Sequence, residues 1–260
     1  MAGVKALKIR CEAITTSFRY PRVQAGSLKT FEMPPPATIY GHLACVIGDW
    51  FDPDGLEFAY SFEHEGKGAD METRQPIERG SGKTTKAKRG WNFPVNVECE
   101  PNPQVREFLF RPKMTLYLTG SDSQLEHFGE AFLSPRFSYV IGRSQDLASC
   151  RWVRNVELQR SSDAVFSHTL LPYDWRPWVL PGTSVMMPEV IDYRRDRQAR
   201  HSRYLQITSP SLRVYPLTED VMSRDRLPET FLVDEEETRE FADRVLPRGL
   251  HFFPVLNSLE

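Results

Sequence analysis

Little in this chain points to a metal. Its four cysteines (Cys11, Cys45, Cys99 and Cys150) are scattered with no CxxC pair, and its six histidines show no HxxxH or HExxH spacing. Zinc ligands come in short, regular spacings, so no metal and no cofactor is expected, and free thiols are the simplest account of the cysteines. No run of 18 apolar residues occurs, and lysines interrupt the short apolar stretch of "MAGVKALKIRCEAITTSF". Neither a membrane span nor a signal peptide is therefore supported, and a cytoplasmic protein without a membrane partner is expected. Net charge is also small, −2 over 260 residues, which argues against a protein that grips nucleic acid over its whole surface.

One phosphate-binding motif fails on inspection. "GSGKTT" at Gly80 to Thr85 matches the end of G-x-x-x-x-G-K-[ST], but Ile77 stands where its first glycine belongs. Neither a buried apolar strand before it nor a helix after it is evident from the flanking "QPIERG" and "KAKRGWNFP", so a nucleotide triphosphatase is not supported.

What is present is local charge. "RGSGKTTKAKR" (Arg79 to Arg89) holds five basic side chains and no acid, and "YRRDRQARHSRY" (Tyr193 to Tyr204) holds five arginines against one aspartate. The balancing acids come late, in "FLVDEEETREFADR", so basic patches sit on a neutral body.

The periodicities set an order of elements. Leu7, Ile9 and Cys11 alternate with Lys8, Arg10 and Glu12, as in a half-buried strand. Three prolines then lead into a helix from about Pro36 to Trp50, with Ile39, Leu43, Val46 and Trp50 on one stripe and Gly41, Cys45 and Gly48 on the bare opposite one. Proline costs little at a helix start, whereas an interior glycine costs about 1 kcal/mol, so the glycines call for a close neighbour on that face. "EFAYSFE" and "KMTLYLT" read as strands, "SDSQLEHFGEAF" as a helix capped by Ser121 or Asp122 and ended before Pro135, and "RWVRNVEL" as another strand. This predicts an α+β, ferredoxin-like (RRM-like) body over residues 1–160 and a C-terminal extension of strands and loops over 161–260. The gap from about 65 to 110 is too long for a hairpin loop and is expected to be an insertion with its own task. Its basic residues Lys83, Lys86, Lys88 and Arg89, bordered by Trp91 and Phe93, suit a backbone clamp with base stacking.

Three stretches, "SFRYP" with "TFEMPPPATIYGHLACVIG", "REFLFRPKMTLYL", and "SPRFSYVIGRSQDLA", lie in order between Cys11 and Ala148. Together they resemble the fifth family of CRISPR-associated proteins, the RAMP-superfamily subunit of type I Cascade complexes, and most of all its type I-B branch. That resemblance implies a ferredoxin-like body with an inserted hairpin, or thumb, that caps the 5′ handle of the guide RNA (crRNA). The partners it implies are the crRNA, the Cascade backbone subunit and the large subunit, with target DNA engaged indirectly. On it, Gly142, Arg143 and Ser144 match the family's "GR" loop, Arg19 is a second phosphate contact, and Tyr139 is a stacking candidate. The opening helix, with Tyr40 and Gly41, resembles the one beside the handle. A branch of the family found in type I-C systems cuts precursor RNA without metal, using a tyrosine, a lysine and a histidine. Tyr40 beside His42, or His64 near Lys67, would be the parts for that alternative, while a non-catalytic role is the expectation. A general single-strand binder is a third possibility.

Overall fold

The computed structural model describes residues 3–20, 27–74, 102–179, 182–208, 230–241 and 244–259, residue 228, and short strands at 77–78, 84–86, 92–94, 97–98 and 212–213. Among these it is a mixed α/β protein, mostly strands with two α-helices.

The body follows the predicted order. Strand β1 (Val4–Ala13) leads to α1 (Pro36–Ile47) and β2 (Glu57–Glu63). A long arm follows, rising through β3 (Gly66–Arg74) and returning through β4 (Asn102–Phe110). Then come β5 (Lys113–Thr119), α2 (Asp122–Leu133) and β6 (Ala148–Ser161). In the sheet the body strands lie in the order β6, β1, β5, β2, all neighbours antiparallel. Both helices pack on one face of it, where Leu7, Ile9, Leu116, Leu118, Phe58 and Phe62 meet Ile39, Leu43, Val46, Leu125, Phe128 and Phe132. The alternation in β1 and the helical spacing in α1 and α2 supply these contacts directly.

Local chemistry fixes the helix ends. Pro36 sits at the first position of α1, where no N–H is needed. The Ser121 hydroxyl accepts the Gln124 N–H at 3.3 Å and the Gln124 side chain accepts the Ser121 N–H at 2.9 Å, a reciprocal cap on α2. The first helix is shorter than its sequence pattern suggests. It ends at Ile47, and Gly48 is its cap, left-handed at φ 84° with its N–H bonded to the carbonyl of Ala44. Gly48 is therefore not an interior glycine, and Trp50 lies beyond the helix, half exposed.

The other sheet face departs from expectation too. Lys8 was expected toward solvent but is only 2 % exposed. Of the downstream strands β7 (Thr183–Asp192), β8 (Gln198–Ile207), β9 (Phe231–Phe241) and β10 (Arg244–Leu250), the last two account for the difference. The β9–β10 pair extends the central sheet beyond β6 and brings acids over that face. The Lys8 ammonium lies 2.6 Å from the buried Asp234 carboxylate and 3.2 Å from Glu237, while the Tyr117 hydroxyl donates to Asp234 at 2.7 Å. Burial and the Asp234 charge push the Tyr117 phenol well above its ordinary range, so it remains a donor. Part of the late acidic run thus neutralises a cation of β1. The pair β7–β8 forms a separate three-stranded sheet with Thr169–Pro172.

Candidate nucleic-acid interface

The arm begins as a two-stranded ladder. Gly66 pairs with Phe110 and the register runs without a break to Arg74 opposite Asn102. Farther out, Thr84–Lys86 pairs with Asn92–Pro94, which puts Lys86 on a strand opposite Asn92. Lys83, Lys88, Arg89 and Trp91 fall outside the described residues.

Cations at the root of the arm are mostly engaged by carboxylates. Lys67 lies 3.0 Å from both Glu32 and Glu107, Arg106 pairs with Glu72, and Arg111 and Lys113 both reach Glu65 at 3.4 Å. His64 completes the first cluster, with Nε2 3.0 Å from Glu32 and Nδ1 3.1 Å from the carbonyl oxygen of Gly66. The His64 and Lys67 side chains hold the Glu32 carboxyl down to about 2. Tyr20, Glu32, His64, Lys67, Glu107 and His168 line one cleft of about 530 Å³ at the root. Arg19 is different: it is exposed on a short strand beside the arm, in a cleft of about 230 Å³ with Glu72 and Arg106, and no carboxylate stands within ion-pair distance of it among the described residues.

The turn around Gly142 to Ser144 docks against the root through Thr15–Ser17. Thr15 and Thr16 pair with Phe110 and Leu109 of the arm, and the Thr16 hydroxyl donates to the carbonyl of Ile141. Gly142 has φ +103°, and a Cβ there would sit 2.3 Å from the Thr16 hydroxyl oxygen, so only glycine fits. One buried carboxylate holds the turn together. Asp146 accepts the Arg143 N–H at 2.9 Å, the Arg143 guanidinium through Nε at 2.9 Å and Nη2 at 2.8 Å, and the Thr15 hydroxyl at 2.9 Å. This fork raises the Arg143 pKa further, chiefly through the Asp146 hydrogen bonds. Arg143 is thus first a tie within its own turn, with a partly exposed guanidinium beside the arm. Ser144 is exposed.

Two expected contacts are core residues instead. Tyr139, the stacking candidate, is buried, its hydroxyl 2.5 Å from His42 Nε2 and 2.7 Å from Cys11 Sγ, its ring edge-on to Phe132. Tyr40 is buried between the Trp50 and Phe51 rings and donates to the Phe51 carbonyl at 2.9 Å. Tyr40 packs inward because the loop after α1 folds back over it, and Tyr139, in the loop after α2, because that loop tucks it against His42 of α1, Phe132 of α2 and Cys11 of β1. His42 is buried as well, and burial lowers its pKa to about 4, so it is a neutral core imidazole at neutral pH. The pairing of Tyr40 with His42 as an acid–base couple is therefore not available at the surface. Gly41 is exposed with nothing within 4 Å of an added Cβ, so the bare stripe faces open space at this position only. Gly48 is the opposite case, since Arg136 packs across it and an added Cβ would lie 2.5 Å from the Arg136 Cβ.

One aromatic–basic arrangement went unassigned at the level of sequence. Trp50 stacks on Tyr193, 4.0 Å between centroids at 9°, at the tip of the arginine-rich β7–β8 hairpin. The arginine count marked the hairpin, but no local pattern joins it to Trp50.

No family model and no curated protein matches this chain. Solved structures do. A chain of a "CRISPR RNA-guided surveillance complex" superposes with TM-score 0.50 at 15 % identity, covering 81 % of this chain and 91 % of that one. A chain of a type III-B Cmr-β complex bound to cognate target RNA and AMPPnP gives 0.47 at 10 % identity, with 94 % and 99 % covered. A CRISPR protein from Archaeoglobus fulgidus gives 0.41 at 11 %, with 95 % and 100 % covered. The structural neighbours are thus CRISPR-associated proteins, and what the first of them shares with this chain is the fold.

Proposed function

We propose that this chain is a non-catalytic crRNA-binding subunit of a type I CRISPR Cascade complex, of the fifth Cas family and nearest its type I-B branch. In this reading the four-strand, two-helix body is a ferredoxin-like RAMP domain, the arm is the thumb, and together they cap the 5′ handle of the guide RNA. The opening helix α1 lies beside the handle and the thumb, and neighbouring faces of the body meet the backbone and large subunits, so target DNA is engaged indirectly. The carrying observation is the long arm inserted between the second and third body strands, with the Gly142–Ser144 turn docked at its root, on a fold shared with a chain of an RNA-guided surveillance complex. The test is reconstitution with repeat-spacer RNA in EDTA. Protection of the 5′ handle with uncut RNA is expected, and an unprotected handle would refute the reading.

A second reading is a metal-independent endoribonuclease that processes precursor crRNA. One observation favours it: Tyr20, His64 and Lys67 line a single cleft at the root of the arm. A general base needs a ring nitrogen free to take a proton, whereas both nitrogens of His64 face oxygen acceptors and Lys67 is held by two carboxylates. The cluster is accordingly read as a brace for the arm. Cleavage in EDTA that is lost in H64A would reverse that assignment.

A further inference from the structure

The β7–β8 hairpin carries five arginines between Tyr193 and Tyr204 that neither the arm nor the Gly142 turn uses. Its tip is pre-shaped. Asp192, 2 % exposed, accepts the Arg194 N–H at 2.9 Å and the Leu259 N–H at 3.4 Å, and Asp196 and Arg197 adopt left-handed conformations at φ 50° and 59°. The turn therefore holds its side chains outward without help from a ligand.

Those side chains alternate with ring faces. At the tip, Tyr40, Trp50 and Tyr193 form a continuous stack, Trp50 is 51 % exposed, and the Arg194 guanidinium lies 5.5 Å from the Tyr193 centroid. At the other end, Arg203 and Arg176 lie 4.9 Å and 6.0 Å from the Tyr173 centroid. Arg200 is paired with Glu189 at 2.8 Å and Arg195 reaches Asp192 at 3.7 Å, but Arg194, Arg197 and Arg203 have no carboxylate within ion-pair distance among the described residues. From Arg203 to the tip is six residues of strand and turn, roughly 20 Å, the reach of a few nucleotides. An interface with another protein concentrates apolar surface at its centre and moves charge to the rim. Here guanidinium groups without an ion pair among the described residues share both ends with the rings, and the exposed stretch between them, Gln198 to His201, is polar but for Ala199, the composition of a single-strand track.

We propose that the β7–β8 hairpin, with Trp50 and Tyr173, is a second binding surface for single-stranded nucleic acid: Arg194, Arg197 and Arg203 meet phosphates and the rings of Trp50, Tyr193 and Tyr173 meet bases. The surface uses none of the residues of the arm or of the Gly142 turn and does not depend on the guide-RNA reading, because a homopolymer with no handle sequence is enough to test it.

The experiment uses the full chain with fluorescein-labelled 12-mers of oligo(U) and oligo(dT), anisotropy across a salt series, and photo-cross-linking with 4-thiouridine or 4-thiothymidine. In R194A/R197A/R203A, affinity at low salt is expected to fall about tenfold, and the slope of log K against log salt to shrink by about 2, near 0.7 per lost phosphate contact. Three lysines at the same positions should restore most of the slope, and W50A should weaken binding about fivefold or more. Adducts should map to Trp50, Tyr173 or Tyr193, and whether oligo(U) or oligo(dT) gives them identifies RNA or DNA as the ligand. Unchanged affinity and slope in the triple variant, with its melting temperature intact, would overturn the proposal, as would adducts confined to the arm. A triple variant that binds both oligomers normally but fails to join partner subunits would assign the surface to a protein, and also overturns it.

Discussion

Arg143→Ala tests whether the Gly142–Ser144 turn is built as well as used. Asp146 is completely buried and the Arg143 side chain is 19 % exposed, so the substitution leaves a buried carboxylate with the Arg143 N–H and the Thr15 hydroxyl as its remaining donors. Breaking a fully buried pair costs about 3 to 5 kcal/mol. Partial exposure of the arginine lets water replace the guanidinium, and the two surviving donors stay, which brings the cost nearer 2 kcal/mol. For a chain of this size that is a fall of about 4 to 8 °C in melting temperature. Arg143→Lys should recover only part of it, since an ammonium cannot make the two parallel bonds of the fork. Calorimetry of R143A, D146N and the double variant gives the coupling energy directly. The same variant should loosen the guide RNA 5′ end while backbone-subunit polymerisation along the spacer survives. An R143A protein that melts with the wild type would refute the reasoning from the ion pair, whatever happens to the RNA.

The buried histidine gives a pH signature. His42 titrates near 4 in the fold against about 6.5 unfolded, so the unfolded chain binds more protons between these values, and stability should be complete above pH 6.5 and fall toward pH 4 by up to about 3 kcal/mol. H42Q should flatten that part of the melting-temperature profile, and an unchanged profile would place His42 in contact with solvent. The two helix-1 glycines should behave oppositely. Gly48→Ala meets both a left-handed φ and the Arg136 side chain and should cost about 1 to 2 kcal/mol in denaturant melts, whereas Gly41→Ala, in open space, should gain up to about 1 kcal/mol. Gly41→Leu should keep its melting temperature and impair RNA docking or assembly, which a filter-binding and gel-filtration comparison would read. Replacing Lys83, Lys86, Lys88 and Arg89 by alanine should leave melting nearly unchanged while guide RNA incorporation drops; full incorporation would remove these four residues from the interface.

The body was legible because its signals are local. Period-two alternation in Val4–Ala13 and the helix cap at Ser121 each follow from neighbours in sequence, and each has its structural counterpart. What failed depends on tertiary contacts and backbone angles that no periodicity or motif encodes. Lys8 reads as a solvent residue until Asp234, more than 200 positions later, covers it. Tyr139 and Tyr40 read as ring platforms because they sit in motifs, but the contacts that bury them come from His42, Phe132 and Phe51. Gly48 looked like a helix interior because Trp50 kept the stripe going, and a glycine at a helix end is told from one inside only by its φ. The Trp50–Tyr193 stack joins residues 143 apart, across the boundary drawn at residue 160, so no window of sequence holds both.

The central claim is that the body and its arm hold the 5′ end of a guide RNA without cutting it. Site-specific photo-cross-linking from each handle nucleotide, in a complex reconstituted in EDTA, tests this most directly. Adducts from the handle to the arm or to the Gly142–Ser144 turn, on full-length RNA, are the expected result. Handle nucleotides that cross-link only to other subunits, or RNA cut at a single position by this chain alone, would contradict it.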